Sequence, residues 1–130
     1  MTEPTKTRVL VVVEDEVDIR LLIRMTLMDD PRIELFGEAA SAREAIELAR
    51  TASPGLIVLD HSIEGDIMGL QAAPLLKEAA PNAKILLFTA FDLSNEAAAE
   101  PAVDAFLSKA HIDRLLPTVQ QLLGLEPLGR

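Results

Sequence analysis

Three uninterrupted apolar runs constrain this chain more than any other feature. Val9 to Val13, Leu56 to Leu59 and Ile85 to Phe88 contain no polar residue. A strand with one wet face alternates polar and apolar positions. A strand that does not alternate is buried on both faces, which points to a parallel sheet covered by helices above and below. Each run stops abruptly in polar residues: Glu14-Asp15-Glu16, Asp60-His61-Ser62 and Thr89. Two weaker strands complete the set. Arg32 to Phe36 alternates like an edge strand, and Ala105 to Ser108 is short but stands where a fifth strand is due.

Helical periods fill the gaps. From Val17 to Met28, Ile19, Leu22, Ile23, Thr26 and Leu27 recur at a spacing near 3.6 and should face inward. Asp15 or Glu16 is expected to cap that helix, and Pro31 follows it. Ser41-Ala42-Arg43-Glu44 reads as a capping box for a helix through Arg50, with Ala45, Ile46, Leu48 and Ala49 inward. Leu70 to Ala80 is a third helix, with Pro74 near its first turn, where proline is tolerated. Ser94 to Glu100 is Ala-rich and long enough for about two turns; it is expected to be the least stable helix. Ile112, Leu115, Leu116, Val119, Leu122 and Leu123 form the stripe of a last helix, stopped by Gly124, and Pro117 can shift its start. The order is β-α five times, an α/β chain whose natural architecture is an open parallel sheet with helices on both faces. At 130 residues a single domain is expected, with its core from about 8 to 123 and a loose tail from 124 to 130.

Composition narrows the function. Apolar residues make up 49% and charged residues 25%, as in an ordinary globular domain. No run approaches the ~20 apolar residues of a membrane span, and no secretory h-region is visible after Met1; a cytoplasmic location is expected. Without cysteine there is no disulfide, thiol nucleophile or Cys-ligated zinc site. The net charge of −9 disfavours phosphate-backbone binding, so no direct nucleic-acid partner is expected. A basic partner or a divalent cation suits it better.

In such a sheet ligands bind at the carboxyl ends of the strands. There the chain places Glu14 and Asp15, Asp60, Thr89 and Lys109. Clustered carboxylates repel one another unless a cation neutralises them. A few hard oxygen ligands suit Mg²⁺, which keeps several waters and takes further oxygens from a phosphate. A strand-end carboxylate can also attack phosphorus to give an acyl phosphate. The Lys109 ammonium and the Thr89 hydroxyl suit phosphoryl oxygens, and phosphoryl transfer needs mainly positioning and charge neutralisation.

From Arg8 to about Leu123 the chain resembles a response-regulator receiver domain of two-component signalling. The resemblance rests on Val-Val-Val-Glu14-Asp15-Glu16, on Asp60 after Leu-Ile-Val-Leu, on Phe-Thr89-Ala and on Leu-Ser-Lys109, in that order and spacing. It implies a flavodoxin-like, doubly wound (βα)5 fold with strand order 2-1-3-4-5. It implies Asp60 as phosphoacceptor, with Mg²⁺ held by Glu14, Asp15, Asp60 and the backbone carbonyl of Ser62. Thr89 and Lys109 would bind the phosphoryl group, and Phe106 would be the switch aromatic coupled to Thr89. The partners implied are a histidine kinase or histidine phosphotransfer protein and a separate effector, for a stand-alone receiver that is a monomer or weak dimer. It would assist its own phosphorylation and dephosphorylation without being an enzyme with a separate substrate. A phosphorylation-independent interaction module is the alternative. An aspartyl phosphatase would want a second acid where Ser62 stands, and a flavin protein would want a phosphate-cradling loop after the first strand.

The chain also departs from that family. The usual Met-Pro and Asp-Gly pieces after the acceptor are missing from the loop 61–69, which is about one residue longer. The usual Lys-Pro is Lys109-Ala110. The segment from Thr89 to Lys109 is roughly two residues short, lacks the usual Gly, and is interrupted by Glu100-Pro101. His61 and His111 are expected to be inert, His61 as a solvated loop residue. Glu64 and Asp66 are expected to be solvated charges, and Phe91 to shield the site from water.

Overall fold

The computed structural model describes residues 8–128. Five strands form one parallel sheet in the order β2-β1-β3-β4-β5: β1 Arg8–Val13, β2 Ile33–Ala39, β3 Leu56–Leu59, β4 Lys84–Thr89 and β5 Ala105–Ser108. The helices are α1 Val17–Leu27, α2 Ala42–Ala52, α3 Gly69–Ala79, α4 Ser94–Ala99 and α5 Leu115–Leu123, with a 3-10 segment Lys109–Arg114 before α5. This is the flavodoxin-like doubly wound order expected of the chain.

Leu10 to Val13, Leu56 to Leu59 and Ile85 to Phe88 are buried on both faces, as an unbroken apolar pattern requires. Val11, Val13, Ile57, Leu59, Ile85 and Leu87 pack on one side with the alanines of α2 and α3. Leu10, Val12, Leu56, Val58, Leu86 and Phe88 pack on the other with Ile23 and Leu27 of α1 and Leu115 and Val119 of α5. Ala42, Ala45, Ala49, Ala72 and Ala73 are fully covered, and such small residues let α2 and α3 approach the sheet closely. Ile46 and Leu48 pack at the margin.

Several local expectations are corrected. β2 runs three residues further, to Ala39, because it pairs with the whole of β1, from Arg8 opposite Ile33 to Val13 opposite Ala39. The register slips between Leu10 and Val11, leaving Phe36 as the extra residue of a bulge. α1 has Glu16 at its N-cap but no side-chain cap; Glu14 Oε2 accepts from the Glu16 N–H instead, at 3.2 Å. Leu22 is 44% exposed rather than inward. α2 has its Ser41 cap, with Glu44 N–H donating to Ser41 Oγ at 3.3 Å. The Glu44 carboxylate reaches one residue past the usual capping-box partner, to Ala40 N–H at 2.8 Å. Pro74 is the sixth residue of α3, inside the helix, so the Leu70 carbonyl lacks its helical donor. α5 starts at Leu115, three residues after Ile112. Pro117 is then its third residue, where a missing N–H costs nothing. Gly124 ends it at φ +71°, a left-handed conformation that suits glycine.

The tail is not loose at its start. Leu125 N–H donates to Gln120 O, and the Glu126 carbonyl accepts from Arg32 Nη2 at 2.7 Å. The same guanidinium holds Asp30, whose buried carboxylate also accepts from Gln120 Nε2 at 2.9 Å. This network joins the α1–β2 turn, α5 and the tail. Gly129 and Arg130 lie outside the described residues.

Candidate phosphoacceptor site

The carboxyl ends of β1, β3, β4 and β5 open onto a cavity of about 330 Å³ lined by Asp15, Glu16, Asp60, Ser62, Thr89, Ala90, Phe91 and Lys109. Strand pairing puts these residues in one place. Val13 lies opposite Leu59, so Glu14 and Asp60 leave the sheet side by side. Thr89 pairs with Ser108, so Lys109 follows on the next edge.

Glu14 and Asp60 are almost fully covered, at 1% and 4% exposure. Lys109 Nζ lies between them, 2.7 Å from Glu14 Oε1 and 2.9 Å from Asp60 Oδ2. The other Asp60 oxygen, Oδ1, accepts from the His61 N–H at 2.7 Å. Asp15 is less buried, and one oxygen each of Glu14, Asp15 and Asp60 lie within 4.8 Å of one another. Burial pushes the Glu14 carboxyl above its usual range, and the neighbouring Asp60 charge adds to this, because the shared ammonium offsets only part of the cost. Lys109 is pushed up: desolvation opposes its charge, but the close Glu14 and Asp60 carboxylates outweigh it.

These residues fit a divalent cation. Three carboxylates and one ammonium leave two negative charges to neutralise. Glu14 Oε1 is buried and, although close to Lys109 Nζ, receives no aligned hydrogen bond. That is an oxygen with spare ligating capacity. Among the described residues, Glu14, Asp15 and Asp60 are the acidic group close enough to share an ion.

Thr89 is fully buried in the cavity wall, its Oγ1 accepting a long bond from Phe91 N–H at 3.4 Å. Ser62 lines the same cavity. Phe91 is 53% exposed at the rim, and His61 meets it edge-on at 6.0 Å between ring centroids. Phe106, half-buried on β5, faces away toward α4, where it lines a separate space of about 230 Å³ with Ala97, Ala98 and Val103. His111 is exposed in the 3-10 segment, and Glu64 and Asp66 are exposed in the loop.

A family model, response regulator receiver domain, matches residues 10–120. The chain belongs to the response regulator receiver family. The receiver is 34% identical over 99 residues to response regulator protein VraR of Staphylococcus aureus (strain Mu3), covering 75% of this chain and 47% of VraR. It therefore spans about half the length of the curated relatives it matches. Among solved structures, a two-component response regulator of the LuxR family from Aurantimonas sp. SI85-9A1 superposes with a TM-score of 0.83 at 26% identity, covering 95% of this chain and 90% of that one. The response regulator domain of Thermotoga maritima CheB superposes at 0.80 with 19% identity over 94% of this chain and 100% of its own, a likeness of fold.

Beside Asp60, sequence reasoning passed over Gly69 and read His61 as a solvated loop residue. A Cβ on Gly69 would stand 2.0 Å from the Asp60 carbonyl oxygen, so only glycine fits where α3 starts against the end of β3. The signal available was a glycine at the head of a helical period. His61 is not a free loop side chain: its Nδ1 accepts from the Leu70 N–H at 3.1 Å. Nothing in the sequence pattern marks that bond.

Proposed function

We propose that this receiver takes a phosphoryl group from a phosphohistidine of a histidine kinase or histidine phosphotransfer protein onto Asp60. The observation that carries this is the Lys109 ammonium held against Asp60 and Glu14 inside a cavity that Asp15 and Thr89 also line. A carboxylate oxygen of Asp60 bonds to phosphorus as the P–N bond breaks, and the donor imidazole nitrogen keeps the electron pair. Glu14, Asp15, Asp60 and the Ser62 carbonyl would hold Mg²⁺. Bound there, Mg²⁺ supplies charge neutralisation for the phosphoryl oxygens. Lys109 is already within reach of Asp60 and pairs with a phosphoryl oxygen once one is present. Thr89 donates its hydroxyl to another.

The new charge draws Thr89 and Lys109 inward and shifts a two-state equilibrium that Phe106 and the α4–α5 face report to an effector. The same residues assist transfer and hydrolysis, so the receiver has no separate substrate. Intact mass after incubation with Mg²⁺ and a small acyl phosphate donor tests this. One phosphoryl adduct that needs Mg²⁺ and is absent from Asp60→Asn is the expected result. No adduct, repeated with a phosphohistidine donor, would favour a phosphorylation-independent interaction module.

A further inference from the structure

The loop between β3 and α3 lacks the turn residues usual after the acceptor, and His61 closes its base in three ways. Its N–H donates to Asp60 Oδ1 at 2.7 Å. Its carbonyl accepts from the Gly69 N–H at 2.8 Å. Its imidazole Nδ1 accepts from the Leu70 N–H at 3.1 Å. Any residue but proline can make the first two bonds; the third needs a side-chain acceptor. Gly69 and Leu70 are the first residues of α3, and Met68 at the N-cap supplies no side-chain bond. The first N–H groups of a helix have no partner within it, and here a side chain from across the loop supplies one. The far side of the loop is tied separately, by Glu64 N–H to Ala40 O at 2.9 Å and by the Ser41–Glu64 bridge.

We infer that His61 is a positioning residue: its imidazole substitutes for the missing cap of α3, pins the helix start to the end of β3, and so holds Ser62 and the acceptor loop in the arrangement that takes the cation. The inference rests on the cation-binding part of the proposed function, and not on phosphoryl transfer. Without the Nδ1 bond, the loop opens more often, and the cation meets a competent site for a smaller fraction of the time. The ring also meets Phe91 edge-on, so a role for ring volume must be separated from a role for the acceptor nitrogen.

The test compares the full chain with His61→Ala and His61→Asn, whose Oδ1 can accept the same N–H without supplying a ring. Amide hydrogen exchange at Leu70 is read in metal-free protein, and Mg²⁺ affinity is read by calorimetry. His61→Ala is expected to speed exchange at Leu70 and to weaken Mg²⁺ binding about tenfold, the scale of outer-shell effects on metal sites; His61→Asn is expected to restore both. An Ala variant that binds Mg²⁺ like the wild type reduces His61 to a structural cap and overturns the inference. An Asn variant that behaves like Ala overturns it too, because the acceptor is then not what matters. Wild-type protein that binds Mg²⁺ but takes no phosphoryl group overturns the proposed function alone. Wild-type protein that binds no Mg²⁺ overturns both.

Discussion

Lys109 shows how one side chain sets the state of the whole cavity. Its ammonium is shared by two buried carboxylates, so neither is fully compensated. Burial raises the Glu14 pKa, and the shared ammonium offsets only part of this. A cation beside Lys109 would relieve this charge. Gly69 is equally decisive for a steric reason, since a Cβ there would run into the Asp60 backbone. Gly69→Ala forces α3 away from β3 and is expected to destabilise the protein by about 3 kcal/mol, the upper range for overpacking. Urea unfolding followed by circular dichroism measures this. A loss within experimental error would show that the close approach is dispensable.

At the scale of elements, two joints and one weak helix stand out. Ser41 caps α2, and Ser41→Ala is expected to cost about 1 kcal/mol in the same unfolding measurement. Asp30 joins the α1–β2 turn to α5 through Arg32 and Gln120. The Arg32 guanidinium, helped by Gln120 and against the cost of burial, holds the Asp30 carboxyl far below the usual 3.8. A carboxyl with a depressed folded pKa stabilises the protein above its unfolded pKa, and that contribution disappears as pH falls. Asp30→Asn is therefore expected to lose about 2 kcal/mol at pH 7, as for hydrogen bonds to a charged group. The gap to wild type should narrow once pH drops below about 3.8. A gap constant from pH 7 to pH 2 would rule out the charge as its source. α4 has six residues, and Ala97 is its buried residue. So short a helix has little to hold it, and its amides are expected to exchange fastest among the helices.

For the whole molecule, a cation held at the acidic group would be linked to folding. A ligand that binds only the folded state stabilises it by mass action, about 2.7 kcal/mol at 100 times its dissociation constant. Mg²⁺ is expected to do so here, a chelator to reverse it, and Asp15→Asn or Asp60→Asn to abolish it. Circular dichroism is the readout, since the chain has no Trp or Tyr. Among the described residues no helix is long and apolar enough to cross a membrane.

The fold class was legible in Val9–Val13, Leu56–Leu59 and Ile85–Phe88, because an unbroken apolar strand has one stable environment, between two helical layers. The acidic, hydroxyl and ammonium residues of the site were legible because each ends a strand, and parallel strands end on one rim. Local pattern could not show what depends on distant neighbours. Glu38 and Ala39 are strand because β1 lies beside them. Leu125 and Glu126 are held because Gln120 and Arg32 reach them. His61 caps α3 because the fold returns Leu70 to the end of β3. Periodicity reports which face of an element is covered; the partner of a particular N–H or carboxylate is decided only when the chain closes on itself.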